Sequence, residues 1–184
     1  MMLKVCISTF GGNPKLITCD FTRNYLNGTI PPEWASIKLE YLSVIVNRLS
    51  GPIPNYLGNI TSLIYMSLEN NMFYGTVPAE LGNLVNLKNL ILSANNLTGE
   101  LPKELNNLRN LTELRLSSNN FTGKLPSFQS WKQLRKLMLC NCNISGSIPK
   151  YLTTMQELKF LDLSFNRLEG TVPNFEGTKN LQFI

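Results

Sequence analysis

Residues 87–102 read LKNLILSANNLTGELP, and variants of this phrase recur along the chain at intervals of 23 or 24 residues. An Asn stands four residues before the Gly of each copy, except that Cys142 replaces it once, and a Pro stands three residues after that Gly. A fixed period of this length indicates stacked copies of one structural unit. The Gly recurs seven times, at Gly28, Gly51, Gly75, Gly99, Gly123, Gly146 and Gly170.

The leucines near the start of the phrase predict a short β-strand. Leu90 and Leu92 alternate with Asn89, Ile91 and Ser93, which is the pattern of a strand with one buried face. One copy alone cannot bury its leucines, so the copies must stack, and their strands run in the same direction. The predicted strands centre on Cys19–Phe21, Leu42–Val44, Met66–Leu68, Leu90–Leu92, Leu114–Leu116, Leu137–Leu139 and Leu161–Leu163.

The polar residues after each strand predict how the chain turns. The Asn amide both donates and accepts hydrogen bonds, so it can satisfy buried backbone groups of neighbouring copies. Cys142 offers only a weak thiol bond at the same place, so we expect a looser rung there. Gly supplies backbone freedom at the corner, and the following Pro favours an extended segment. All variation in copy length falls between that Pro and the next copy, where we expect short helix or 3₁₀ turns on the convex side.

These observations predict an α/β fold, a right-handed leucine-rich-repeat solenoid of about seven repeats of 23–24 residues with a concave parallel sheet. Residues 1–15 are expected to form an irregular lead-in, and residues 16–184 the solenoid. Leu181–Ile184 should begin another strand. Neither end shows an atypical capping repeat, so the sequence predicts a solenoid segment truncated at both ends.

Composition argues against several classes of function. The 184 residues include no His and carry a net charge of +5 without a basic run, which disfavours nucleic-acid binding. Without His, the common Ser-His-Asp and Cys-His catalytic arrangements and His metal sites are excluded. No phosphate-binding loop or kinase signature occurs. We therefore expect no enzymatic activity, no metal and no cofactor. No run of 18 apolar residues is present, so we expect no membrane contact by this segment.

Cysteines and glycosylation sequons bear on the cellular compartment. Cys140 and Cys142 are too close in sequence for an easy disulfide, whereas Cys6 could pair with Cys19. Cys19 and Cys142 occupy positions expected to be buried. Six Asn-x-Ser/Thr sequons favour passage through a secretory pathway. They are Asn27, Asn59, Asn96, Asn110, Asn120 and Asn143.

The Leu-Thr-Gly-x-Leu/Ile-Pro form of the repeat resembles the plant-type leucine-rich repeat over residues 16–184. Residues 23–34 (RNYLNGTIPPEW) and 49–60 (LSGPIPNYLGNI) are similar to ectodomains of plant receptor-like serine/threonine kinases of subfamily VIII. In that family a malectin-like domain, a membrane helix and a cytoplasmic kinase follow the repeats. The resemblance implies an extracellular recognition segment at the plasma membrane. The chain itself has no residues that match the kinase or malectin motifs, and it shows no signal peptide.

The sequence thus favours a non-catalytic extracellular module that binds a protein, peptide or glycan ligand, or a co-receptor. The alternatives are a stand-alone secreted repeat protein, such as an inhibitor of wall-degrading enzymes, and a non-functional truncated product. Outward strand positions should form two columns, one through position 41 and one through position 43. Aromatic and charged residues there are types enriched in binding hot spots. The predicted contact surface is Tyr41, Tyr65, Glu113, Arg115, Lys136 and Phe160.

Overall fold

The computed structural model describes residues 17–184, and its main feature is a seven-stranded parallel sheet. The strands lie side by side in chain order, each paired with the strand of the next repeat, so this sheet forms the concave face of a leucine-rich-repeat solenoid. Its strands are β1 (Thr18–Asp20), β3 (Tyr41–Ser43), β5 (Tyr65–Ser67), β7 (Asn89–Ile91), β9 (Glu113–Arg115), β11 (Lys136–Met138) and β13 (Phe160–Asp162). Phe183 adds a parallel bridge to Phe160, as expected for the start of another strand.

Each strand begins and ends one residue earlier than predicted. The third residue of each predicted segment, such as Leu92, lies beyond the last strand residue, although it is buried. Its N–H still donates to a carbonyl of the next repeat, because Leu92 N bonds Arg115 O at 2.8 Å. The inward leucine column was predicted correctly: the middle residue of every concave strand from β3 to β13 is at most 1% exposed.

A second parallel sheet on the flank of the solenoid was not predicted. Its strands are formed by the Leu-x-Gly segment that follows each ladder position, where we expected only a corner and an extended connection. Five strands pair in one group: β2 (Asn27–Gly28), β4 (Arg48–Pro52), β6 (Met72–Gly75), β8 (Asn96–Gly99) and β10 (Asn120–Phe121). The last two, β12 (Ser145–Gly146) and β14 (Arg167–Leu168), pair with each other, and the Ser145 N–H also donates to Gly123 O of the preceding repeat at 2.8 Å. We call these strands together the lateral sheet.

The ladder asparagines join neighbouring repeats as the sequence predicted. The Asn95 amide donates to Leu68 O at 3.0 Å and to Leu92 O at 3.1 Å, and its oxygen accepts from Phe73 N at 3.0 Å. Each amide therefore satisfies backbone groups of its own repeat and of the preceding one, inside the core. The same arrangement occurs at Asn47, Asn71, Asn119 and Asn166.

Cys142 forms a weaker rung, in line with the expectation. Its sulfur lies 3.6 Å from Leu116 O and 3.7 Å from Cys140 O, distances at which a thiol contributes little. Burial raises the pKa of the Cys142 thiol, so it stays protonated.

Short 3₁₀ helices cover the convex side of five repeats. The repeats without a helix are one residue shorter directly after the Pro. Leu81 lies three residues after Pro78 and is buried inside its helix. Phe128 lies only two residues after Pro126, so that repeat lacks a residue where the helix would begin, and it forms turns instead. The same holds after Pro173. The helices are η1 (Pro32–Ser36), η2 (Asn55–Asn59), η3 (Ala79–Asn83), η4 (Lys103–Asn107) and η5 (Lys150–Thr154).

Large aromatic side chains fill the space left where the helix is absent. Phe128 and Trp131 stack with their ring centroids 3.8 Å apart, and both are buried. The Trp131 Nε1–H donates to Leu105 O at 3.0 Å, which ties this repeat to helix η4. The aromatic pair therefore replaces the packing that a helix provides elsewhere.

Two glycines allow the convex helices to pack closely. A Cβ added at Gly58 would lie 2.3 Å from Glu80 O, and one at Gly82 would lie 2.4 Å from Glu104 O. Both contacts are with backbone, so no side-chain rotation can relieve them. These glycines set the spacing of η2, η3 and η4.

We expect Gly82→Ala to lower the free energy of unfolding by about 1–3 kcal/mol, because the new methyl overlaps the Glu104 carbonyl. Gly177→Ala is the matched control: it has open space around it and no positive φ, so its effect should be near zero. Urea unfolding followed by circular dichroism measures both. Equal stability of the two variants would contradict the packing argument.

We expect Cys142→Asn to raise the free energy of unfolding by about 1 kcal/mol, because an amide at this rung can make the bonds found in the other repeats. Asn95→Ala should lower it by about 1–3 kcal/mol, since it leaves buried backbone groups unpaired. Thermal unfolding of both variants beside the wild type is the measurement. A Cys142→Asn chain less stable than wild type would show that this rung does not accept an amide.

Candidate partner-binding face

Five of the six predicted contact residues lie in one row across the concave sheet. The register pairs Tyr41 with Tyr65, and the same row continues through Asn89 to the last strand. The row therefore crosses six adjacent strands, and all its members are half-buried. It contains Tyr41, Tyr65, Asn89, Glu113, Lys136 and Phe160. Arg115 lies in the neighbouring row, two residues after Glu113 on the same strand.

The neighbouring row, through position 43, is more buried than predicted. Ser43 and Ser67 are fully buried and Ile91 is 5% exposed, so these three are not available as an open surface. The Ser43 and Thr22 hydroxyls share a hydrogen bond of 2.7 Å. Short side chains in a closely spaced parallel sheet lose contact with water when larger neighbours flank them. Arg115, Met138 and Asp162 of this row remain partly exposed, and Asp20 at its start is exposed.

The first part of the face is an aromatic platform made of two tyrosines. The rings of Tyr41 and Tyr65 lie 4.4 Å apart with an angle of 6° between their planes. Burial raises the pKa of Tyr65, and the nearby Tyr41 adds to that effect. The Tyr65 phenol is therefore neutral at ordinary pH, and the stacked pair offers a flat aromatic surface.

A charged cluster follows at β9 and β11. The Glu113 carboxylate accepts from Asn89 Nδ2 at 3.0 Å and from Arg115 Nε, and Lys136 Nζ lies 3.4 Å away. Lys136 also lies over the Phe160 ring, 5.4 Å from its centroid. Burial by itself would raise the pKa of Glu113, but the hydrogen bond and charge of Arg115, with Lys136, outweigh it, so this pKa is lowered. The cluster has two cations and one carboxylate and thus an excess of one positive charge.

A groove with a volume of about 540 Å³ runs beside this cluster. Arg115, Lys136 and Phe160 line it, together with Phe183 and the Cys140 thiol. Three of the six predicted contact residues therefore meet at one depression, while the two tyrosines lie several strands away. Sequence reasoning did not identify the groove, because part of its wall comes from corner residues such as Ala94 and Ser118, which have no distinctive type.

The predicted glycosylation sequons all lie away from the concave sheet. Asn27, Asn59, Asn96 and Asn120 are exposed, whereas Asn110 and Asn143 are half-buried. The Asn110 amide donates to Val85 O at 2.9 Å. The lateral sheet and its extension carry most of these sites, and the candidate binding face carries none.

Three of the four cysteines lie in the described part of the chain. Cys140 and Cys142 are both free thiols. Cys6 lies outside the described residues, so its suggested pairing with Cys19 stays a prediction. Residues 17–184 contain no cluster of His, Cys, Asp and Glu that could hold a metal ion. Within the same range, no helix has the length and apolar character needed to cross a membrane.

Comparison with known proteins places the chain among leucine-rich-repeat proteins. Residues 102–181 match a family model described as Zer-1-like leucine-rich repeats, and residues 86–108 match the general leucine-rich repeat model. A probable leucine-rich repeat receptor-like serine/threonine-protein kinase of Arabidopsis thaliana is 44% identical over 52 residues. That match covers 28% of this chain and 5% of the relative.

Solved structures match most of the chain. The ectodomain of the Arabidopsis receptor kinase GASSHO1/SCHENGEN3, in complex with CASPARIAN STRIP INTEGRITY FACTOR 2, has a TM-score of 0.85 at 37% identity, covering 89% of this chain and 20% of that one. The Arabidopsis receptor kinase HAESA, in complex with the peptide hormone IDA and the co-receptor SERK1, has a TM-score of 0.85 at 36% identity, covering 95% and 30%. A plant ice-binding protein has a TM-score of 0.64 at 26% identity, covering 95% and 74%.

The fold and these matches define a leucine-rich-repeat protein. Within that class, the chain is similar in both sequence and structure to the ectodomains of plant leucine-rich-repeat receptor-like kinases. It spans about 5% of the length of the curated kinase and 20–30% of these two ectodomain chains.

We expect Glu113 to contribute stability that depends on pH. Because its folded-state pKa lies below the usual 4.5, this contribution is complete above that value and is lost as the pH falls through the lower folded value. The difference in melting temperature between wild type and Glu113→Gln should be positive at pH 6 and should shrink steadily on acidification. Asp20 and Asp162 also have lowered pKa values, but both proteins contain them, so their contributions cancel in this difference. A difference that does not change with pH would contradict this assignment.

Proposed function

We propose that the chain is part of the extracellular recognition region of a plant leucine-rich-repeat receptor-like kinase, and that it binds a peptide or protein ligand, or a co-receptor, through its concave face. The observation that carries the proposal is the row of half-buried aromatic and charged residues whose last members, Lys136 and Phe160, line the groove beside Arg115. Packing of the repeats does not require these residue types. An ectodomain of the same fold has been solved with a peptide hormone and a co-receptor.

Further details rest on the resemblance of residues 23–34 and 49–60 to subfamily VIII. The proposal places the chain at the outer face of the plasma membrane, in a protein that also carries a malectin-like domain, a membrane helix and a kinase. The segment itself acts without catalysis and holds no cofactor. The coding sequence downstream of residue 184 tests this: a malectin-like domain, membrane helix and kinase are expected there.

A stand-alone secreted repeat protein is the second candidate, for instance an inhibitor of wall-degrading enzymes. The similarity to a plant ice-binding protein supports this second candidate, because the chain covers 74% of that protein but only 20–30% of the two receptor ectodomains. A cysteine-paired capping repeat followed by a stop codon would support this second candidate.

Peptide selection tests recognition by the concave face directly. We expect a random phage-displayed peptide library, panned on the folded chain, to yield peptides that lose at least about 30-fold in affinity on a Tyr65→Ser, Arg115→Ala, Phe160→Ala variant. The matched control changes the same kinds of residue on the lateral sheet: Arg48→Ala, Met72→Ala and Tyr74→Ser. Binding should survive in this control.

Two outcomes would contradict the proposed face. One is a library that yields no peptide with affinity above background. The other is a set of selected peptides that bind the concave triple variant as tightly as wild type while circular dichroism shows that variant to be folded. Loss of binding in both triple variants would indicate damage to the fold, and melting curves of the two variants identify that case.

Glycosylation tests the secretory part of the proposal. In protein from plant tissue, we expect glycan at the exposed sites Asn27, Asn59, Asn96 and Asn120. Occupancy should be lower at Asn143, which is half-buried, and at Asn110, whose amide is already bonded to Val85 O. Site-by-site mass spectrometry measures this. Six bare sequons would contradict passage through a secretory pathway.

A further inference from the structure

We infer that Asn27 carries an N-linked glycan whose first sugar packs on the ring of Tyr25, so that this sequon stabilises the flank of the solenoid. The inference rests on the secretory route contained in the proposed function. It goes further, because it assigns a contact to one particular glycan and separates that sequon from the other five.

The backbone places Tyr25 and Asn27 on the same outward face. Leu26, between them, packs against the core; its N–H donates to Asn47 Oδ1 at 3.0 Å, and its carbonyl accepts from Arg48 N at 2.8 Å. Alternate residues of an extended segment point to the same side. Tyr25 and Asn27 are accordingly both exposed, and Tyr25 is 81% exposed.

Arg48 completes the site from the neighbouring strand. It is the register partner of Asn27, and its guanidinium lies over the Tyr25 ring, 5.1 Å from the centroid. This contact positions one face of the ring, while the high exposure of Tyr25 leaves the other face open. The guanidinium also supplies N–H donors next to the point where a glycan would begin.

The chemistry of the first sugar suits this arrangement. An N-linked glycan begins with N-acetylglucosamine, whose ring presents C–H groups with partial positive charge, and the face of an aromatic ring carries negative charge. Contact with Tyr25 also removes apolar surface of both groups from water. Gly28, at φ +87°, turns the chain directly after Asn27, and Thr29, the hydroxyl residue of the sequon, remains exposed.

The other sequons lack this neighbour. The residue two positions before the sequon Asn is Leu57, Ala94, Leu108, Ser118 or Asn141 in the remaining five, and none of these is aromatic. Asn96 is the natural control, since it is exposed and lies on the same lateral sheet, in strand β8, with Ala94 two residues before it.

The experiment uses the full chain behind a cleavable signal peptide, secreted from insect cells, with every sequon except Asn27 changed to Gln. Melting temperatures are compared for the glycosylated chain, the chain trimmed enzymatically to one N-acetylglucosamine, and Asn27→Gln. We expect the glycan to raise the melting temperature by about 2–4 °C, the shift that one aromatic contact produces in a chain of this length. The gain should survive trimming and disappear in Tyr25→Ala.

A second chain that keeps only Asn96 should show no such gain. The inference is overturned if the glycan stabilises the Tyr25→Ala chain equally, or if Asn27 stays bare in secreted protein. Because the added signal peptide imposes secretion, neither result depends on peptide recognition by the concave face. Failure here and failure of the proposed function are therefore separate outcomes.

Discussion

The structure depends on the side-chain amide that stands at the same place in successive repeats. An amide such as that of Asn95 donates to a carbonyl of its own repeat and to one of the preceding repeat, and it accepts from a backbone N–H of the preceding repeat. These backbone groups lie inside the core, where water cannot reach them, and an unpaired group there costs about 1–3 kcal/mol. The amide thus allows the chain to leave the concave sheet, turn through the interior and begin the lateral sheet without losing hydrogen bonds.

The parts of the fold that follow from repetition could be predicted from the sequence, and the parts that follow from backbone geometry could not. The inward leucines, the ladder and the order of the concave strands all have a residue type that recurs. The lateral sheet has only short strands and a weak pattern. The residue before each ladder position adopts a positive φ in every described repeat, but Arg23, Val46 and Phe165 share no chemistry that would reveal it. One missed feature did leave a signal, because Phe128 is one residue closer to Pro126 than Leu81 is to Pro78.

Part of the candidate site could likewise be predicted from the sequence, and part could not. The row from Tyr41 to Phe160 was predicted in full because copy lengths vary only on the convex side, which leaves the register of the concave sheet unchanged. Burial within that sheet was harder to predict. Position 43 faces the same side as position 41, yet Ser43 and Ser67 are covered, since exposure depends on the size of neighbours in adjacent repeats. The groove depends on residues brought together from six successive copies of the repeat, which no local pattern describes.

The repeat that contains Cys142 differs from the others at its ladder position, where a thiol stands in place of an amide and bonds only weakly to the preceding repeat. Asn143 N still donates to Phe121 O at 2.9 Å and Ser145 N to Gly123 O at 2.8 Å, so backbone hydrogen bonds cross this junction. Ser118 and Cys140 line the groove from opposite sides of it. A molecule seated in the groove would therefore contact the repeats on both sides of the substituted rung.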